Sequence, residues 1–294
     1  MKIRSISATV YVAVLLIFYL LKIFVHPLCF DVLTYAFAVI GTLEMLRAVK
    51  EKTTKPQRVL VTCFALLCVP AVAVAETFGY GVTVLGACAL VLALAVTSLL
   101  VFDYQNTNLE NSGVALLSGV YPSIFVSFLV LVNHMQAPTA LTEFAFNSNL
   151  FIPLIFAISP LSDVFAYLVG CSLKKVFPKK LSPSISPNKT VVGAIGALFG
   201  GIVASGVVYG IYNAVAGSFA DMQIWLPVFL GLGFIGALAT MFGDLVESAM
   251  KRKLEIKDMG KIMPGHGGIL DRIDGTMFTA MAVYFVFQCI YLFF

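Results

Sequence analysis

Charge is scarce in this chain: 12% of its 294 residues are Asp, Glu, Lys or Arg, while 60% are hydrophobic. A mean hydropathy of +0.97 excludes an ordinary soluble domain. The six cysteines show neither CxxC nor any other metal spacing. Most lie inside apolar runs, where Cys behaves as a small hydrophobe, so no disulfide framework follows. GxxxxGK[ST] is missing, as is GxGxxG after a strand, which excludes the common soluble nucleotide folds. HExxH, GxSxG and any basic patch interleaved with aromatics are missing too, the last excluding a nucleic-acid partner. No internal repeat, heptad pattern or separable soluble domain is present.

Long apolar runs are what the chain has instead. Nine stretches reach the length of a membrane-crossing helix, at about 9–26, 29–47, 58–75, 80–101, 113–133, 150–170, 190–215, 224–246 and 275–293. The expected fold is an all-α polytopic membrane protein. Between the runs stand Pro27, Pro56, Gly79, residues 106–111, Pro138 and a Pro/Ser/Lys segment at 178–187. The first run is long for a signal-peptide core and lacks a small-residue cleavage site at His26-Pro27-Leu28, so it reads as a retained helix. With nine spans, eighteen of the nineteen basic residues fall on one side. Lys22 is the exception, placed where it can snorkel to the interface. The opposite connections carry Asp31, Glu76, Glu143 and Asp221. By the positive-inside rule, the N-terminus and the basic loops are expected in the cytoplasm.

Charge concentrates between Gly243 and Asp274, in GDLVESAMKRKLEIKDMGKIMPGHGGILDRID. Asp244 and Glu247 stand at i, i+3 where the eighth span ends, and Asp271 and Asp274 repeat that spacing where the ninth begins, so each pair shares a helix face. Such carboxylate pairs suit Mg²⁺, which takes oxygen ligands together with substrate phosphates. Pairing with Lys251, Arg252 and Arg272 at the interface is the plainer alternative. Asp163 lies within ISPLSDVFAYLVG, where an acid costs about 2.5–3.5 kcal/mol to insert and therefore faces the bundle interior or water. Pro264-Gly265-His266-Gly267-Gly268 reads as a tight turn that exposes backbone N–H groups to a ligand, with His266 as a donor to phosphate or ribose. Ser186 stands just before Pro187-Asn188-Lys189-Thr190, which is expected to open the seventh span, where helix N-terminal amides favour an anion and Lys189 adds a charge for phosphate; an ordinary N-cap is the alternative. Glycines 193, 196, 200, 201, 231, 233 and 236 are expected to serve close helix packing.

These residues resemble the phosphatidate cytidylyltransferases, or CDP-diacylglycerol synthases. The likeness rests on Ser248, Lys251-Arg252, Lys257-Asp258, Pro264, His266-Gly267-Gly268 and Asp271-Arg272-Ile273-Asp274, with Gly243 to Ser248 and Ser184 to Thr190 upstream. It covers roughly Asp163 to Gly275. It implies transfer of CMP from CTP to phosphatidic acid at the cytoplasmic face of the inner membrane. It also implies a Mg²⁺ requirement, a second cation that is divalent or monovalent, and a homodimer. Carried onto this chain, Asp244 and Asp271 are the main metal carboxylates, supported by Asp274 and Glu247. Lys251, Lys257, Asp258 and Arg272 join the catalytic set, and Ser186, Asn188, Lys189, His266, Gly267 and Gly268 hold the nucleotide. About four spans (1–112) precede a catalytic bundle (113–294) with loops at 171–189 and 247–274, in one integral unit. The chain departs from the family pattern at Val164, Cys171, Val192 and Gly275, so a divergent but active enzyme is expected.

Two other readings stay open. One is an enzyme acting on another lipid phosphate. The other is a transporter or binding protein that uses Asp163, Asp244 and Asp271 along a pathway, although transporters place charge near the midplane and commonly show repeats.

Overall fold

The structure, a computed structural model, describes residues 2–135, 148–216 and 222–292. Pro138, Glu143 and Asp221 lie outside the described residues. Helices α1 (Lys2–Phe24), α2 (Leu28–Ala48), α3 (Lys55–Glu76), α4 (Gly81–Phe102), α5 (Leu109–Gly119) and α6 (Phe125–His134) come first. Then follow α7 (Ser148–Leu173), strands β1 (Lys180–Ser182) and β2 (Ser186–Thr190), and helices α8 (Val191–Ala216), α9 (Met222–Lys253) and α10 (Leu270–Tyr291). Helices α5 and α6 run on through a π turn at Val120–Ile124, where Pro122 removes a backbone donor. Counting Leu109–His134 as one, nine helices among the described residues are long and apolar enough to cross a membrane. The expected all-α polytopic architecture is therefore observed.

The chain forms two compact units, residues 1–134 with 254–273, and residues 135–253 with 274–294. In the first, Leu46, Val61, Leu92, Val96 and Ala115 form an apolar cluster. Two helix starts are welded together there. Thr54 and Gln57 cap α3 reciprocally, Asn108 and Asn111 do the same for α5, and the Gln57 amide donates to Asn111 Oδ1 at 2.8 Å. This capping starts α3 three residues ahead of the expected 58, with Pro56 tolerated in its first turn.

Lys22 is covered by protein: it is 4% exposed and lies within electrostatic reach of Asp31, where α1 packs on α2. Asp31 is itself inside α2, where its carboxylate accepts from Asn133 Nδ2 at 2.8 Å and meets His134 Nε2 at 2.6 Å.

In the second unit, α7 and α8 approach until a Cβ on Gly193, Gly196 or Gly200 would press into Ala166, Val169 or Phe165 at 2.6–2.9 Å. The packing role expected of the glycines fails at Gly231, where a Cβ would meet nothing within 4 Å among the described residues, but is observed at these three, and close neighbours also surround Gly201, Gly233 and Gly236. Gly275 has the same cause: a side chain there would meet Thr240 Cγ2 at 2.7 Å.

Candidate active site

Each unit carries one set of the charged residues. In the second unit, Lys180 pairs with Thr190 and Ser182 with Ser186, closing an antiparallel hairpin before α8. The sequence suggested instead that residues 187–190 open the helix and offer its first amides to an anion. The hairpin keeps them extended up to Thr190, which acts as the N-cap: its Oγ1 accepts the Gly193 N–H at 3.1 Å. Arg252 Nε donates to Ile185 O at 3.2 Å, tying the end of α9 to the hairpin.

Lys189 on β2 pairs with Asp244 on α9 and stands within electrostatic reach of Asp163 and Asp274. Burial lowers the Lys189 pKa; Asp163 and Asp274 oppose that shift, and Lys251 reinforces it. One turn past Asp244, Glu247 is fully buried and accepts from Lys251 Nζ at 3.1 Å. Gly243 packs against the Asp274 carbonyl, which brings the Asp244 turn of α9 against α10. Ser186, Asn188 and Lys189 line a cavity of about 540 Å³ together with Asp163, Tyr167, Lys174 and Lys180. Three lysines and the Asp163 carboxylate therefore share this recess.

In the first unit, residues 254–269 form the loop that leads into α10. Gly265 and Gly267 adopt φ of 77° and 87°, values that side chains resist. The Met263 N–H donates to Gly267 O at 2.9 Å, closing the tight turn read from the sequence. Asp271 is 8% exposed, and its Oδ2 accepts N–H donors from Met259 (2.9 Å) and Gly268 (2.8 Å). The Gly268 amide is therefore directed at Asp271 inside the loop. Lys257, Asp258, Lys261, His266, Gly267 and Arg272 surround a cavity of about 450 Å³. His266 Nδ1 lies 2.6 Å from Ser7 Oγ, whose hydroxyl donates to Pro264 O at 3.1 Å, so α1 orients the imidazole.

Sequence reasoning missed two residues here. One is Ser7. The other is Glu44, whose carboxylate accepts the Ile269 and Leu270 N–H groups at 3.1 and 3.0 Å. The signal was present as an acid within the apolar run GTLEMLRA.

The donors fit Mg²⁺ in kind. Among the described residues no three of His, Cys, Asp or Glu gather as a ready-made cage. Mg²⁺ seldom uses one, being held by one or two carboxylates with substrate phosphates and water. The Lys189 ammonium on Asp244 shows that this carboxylate already faces a cation.

The cytidylyltransferase family matches residues 2–290. Over 130 residues the chain is 44% identical to a phosphatidate cytidylyltransferase of Staphylococcus aureus (strain COL), covering 44% of this chain and 45% of that protein. It is 46% identical over 125 residues to the phosphatidate cytidylyltransferase of Bacillus subtilis (strain 168), covering 42% of each. To that of Thermotoga maritima it is 33% identical over 171 residues, covering 58% of this chain and 56% of that protein. The chain thus spans about half the length of these relatives. Because the family match runs through both units and through every charged segment described above, this chain belongs to the cytidylyltransferase family.

Proposed function

We propose that the protein transfers CMP from CTP to phosphatidic acid, forming CDP-diacylglycerol and pyrophosphate. The observation that supports this most is the Lys189 cluster: a lysine cation set among Asp163, Asp244 and Asp274, on a chain of the cytidylyltransferase family. In the reaction a phosphate oxygen of phosphatidic acid attacks the α-phosphorus of CTP. The bond from that phosphorus to the bridging oxygen breaks, and pyrophosphate leaves with the electron pair. Mg²⁺, when bound, offsets charge on the triphosphate. Asp244 and Asp271 are the carboxylates that would hold it, with Asp274 and Glu247 in support. Lys189, Lys251, Lys257, Arg252 and Arg272 supply fixed positive charge for the phosphates, so that positioning and electrostatics carry most of the work. Ser186, Asn188 and His266 add hydrogen-bonding groups, while Asp258 lines the loop cavity. The basic loops and N-terminus face the cytoplasm of a bacterial inner membrane, by charge asymmetry. A homodimer is the assembly in which it would work.

Purified protein in detergent, given labelled CTP, phosphatidic acid and Mg²⁺, is expected to form labelled CDP-lipid and pyrophosphate, and EDTA is expected to stop it. Folded, Mg²⁺-supplied protein that forms neither product overturns the proposal. Product with a different lipid phosphate but none with phosphatidic acid reassigns the acceptor.

A further inference from the structure

We infer that Glu44 is a positioning residue for Asp271, acting through the loop that joins the two. Glu44 sits near the end of α2, 1% exposed. Its Oε1 accepts the Ile269 N–H and its Oε2 the Leu270 N–H, the amides at the mouth of α10. Asp271 follows at once on the same helix. An ordinary cap comes from a residue beside the helix start. This one comes from 225 positions away, so it fixes the start of α10 to another helix as well as satisfying it. A carboxylate at a helix N-terminus also meets the favourable end of the backbone dipole.

A second observation points the same way. A Cβ on Gly260 or Gly268 would overlap the Glu44 carboxylate. Neither glycine has the positive φ that singles out Gly265 and Gly267. Their missing side chains therefore serve space, and the space is filled by Glu44. Asp271 gathers Met259 and Gly268, Glu44 gathers Ile269 and Leu270, and together the two acids pin the loop at four amides. Displacing Glu44 lets the start of α10 shift, and Asp271 moves with it.

The kinetic consequence rests on the proposed function; the structural one does not. Full-length Glu44→Gln and Glu44→Ala, purified in detergent, are to be compared with wild type by hydrogen exchange of the 259–272 segment and by rate against Mg²⁺ concentration. Faster exchange at Ile269 and Leu270 is expected, with a rate lower by about 10–100-fold and a higher Mg²⁺ concentration for half-maximal rate. Gly260→Ala is expected to impair the wild-type chain but to add little in the Glu44→Ala background, a coupling that a double-mutant cycle reads. Unchanged exchange at the two amides, or strictly additive Gly260→Ala and Glu44→Ala effects, overturns the tether. Faster exchange with an unaltered Mg²⁺ dependence and rate overturns the positioning role. A wild-type chain that makes no CDP-lipid defeats the proposed function instead, and the exchange and stability cycle then decide the tether alone.

Discussion

The charged loop of the first unit and the charged hairpin of the second hold their carboxylates in opposite ways. In the loop, Glu44 and Asp271 accept backbone N–H groups from Ile269, Leu270, Met259 and Gly268. Around the hairpin, Asp244 and Glu247 face lysine ammonium groups. A carboxylate satisfied by amides is part of the backbone scaffold, and removing it leaves buried donors unpaired. A carboxylate satisfied by a lysine can exchange that cation for another. The first arrangement sets shape and the second sets charge, so substitutions in the two regions should differ in kind as well as in size.

The largest effects fall on activity. Asp244→Asn and Asp271→Asn are each expected to lower CDP-lipid formation by at least about 10²–10³-fold, the scale of losing one preorganised electrostatic contact to the transition state. Their structural signatures should separate. Asp271→Asn is expected to speed hydrogen exchange at Met259 and Gly268, because a neutral amide oxygen accepts more weakly than a carboxylate. Asp244→Asn should leave those amides as protected as in wild type. Near-normal turnover in both variants removes them from the catalytic set, and identical exchange in both erases the contrast.

Next in size is Lys189→Met, which leaves Asp163, Asp244 and Asp274 without their shared cation. The side chains of Lys189 and Asp244 keep 30% and 28% exposure, so the pair itself contributes no more than about 1 kcal/mol. In Mg²⁺-free buffer the thermal midpoint should therefore move little, and downward. Added Mg²⁺ should then raise the midpoint more in Lys189→Met than in wild type, where the ion has to compete with the ammonium group. The kcat/KM for CTP should fall by about tenfold, a cost of about 1.4 kcal/mol. A midpoint that Mg²⁺ raises equally in both proteins would mean that Lys189 and the ion do not share Asp244.

What could be read in advance follows the range of the forces involved. Nine spans were legible because insertion depends on local hydropathy, and the tight turn at 264–268 because glycine chemistry is local as well. The nearness of Lys22 to Asp31 could not be read in advance, because the two meet only once α1 has packed on α2. The hairpin was missed because Pro183 and Pro187 punctuate it like a loop, while the pairing of Lys180 with Thr190 leaves no mark in composition. Glu44 stayed hidden for the strongest reason, since its partners lie 225 and 226 residues away and are backbone amides, which no side-chain pattern announces. The carboxylates proposed to hold a metal were picked out by the i, i+3 spacing and the family signature; the lysines paired with Asp244 and Glu247 belong to tertiary structure and to one helical turn.

The smallest effect tests what anchors the hairpin if its ion pair does not. Thr190 Oγ1 accepts the Gly193 N–H and lies against Gly170, where a Cβ would come within 3.2 Å of it. Thr190→Ala should cost about 0.5–2 kcal/mol in unfolding free energy, the usual loss for an N-cap, and Thr190→Ser should restore most of it. Mg²⁺ should leave that cost unchanged, because the cap is neutral and local, whereas it should reverse the deficit of Lys189→Met. If the Thr190→Ala deficit also vanishes on adding Mg²⁺, position and charge are not separable in the hairpin, and the division between a shape-setting loop and a charge-setting hairpin fails at its second half.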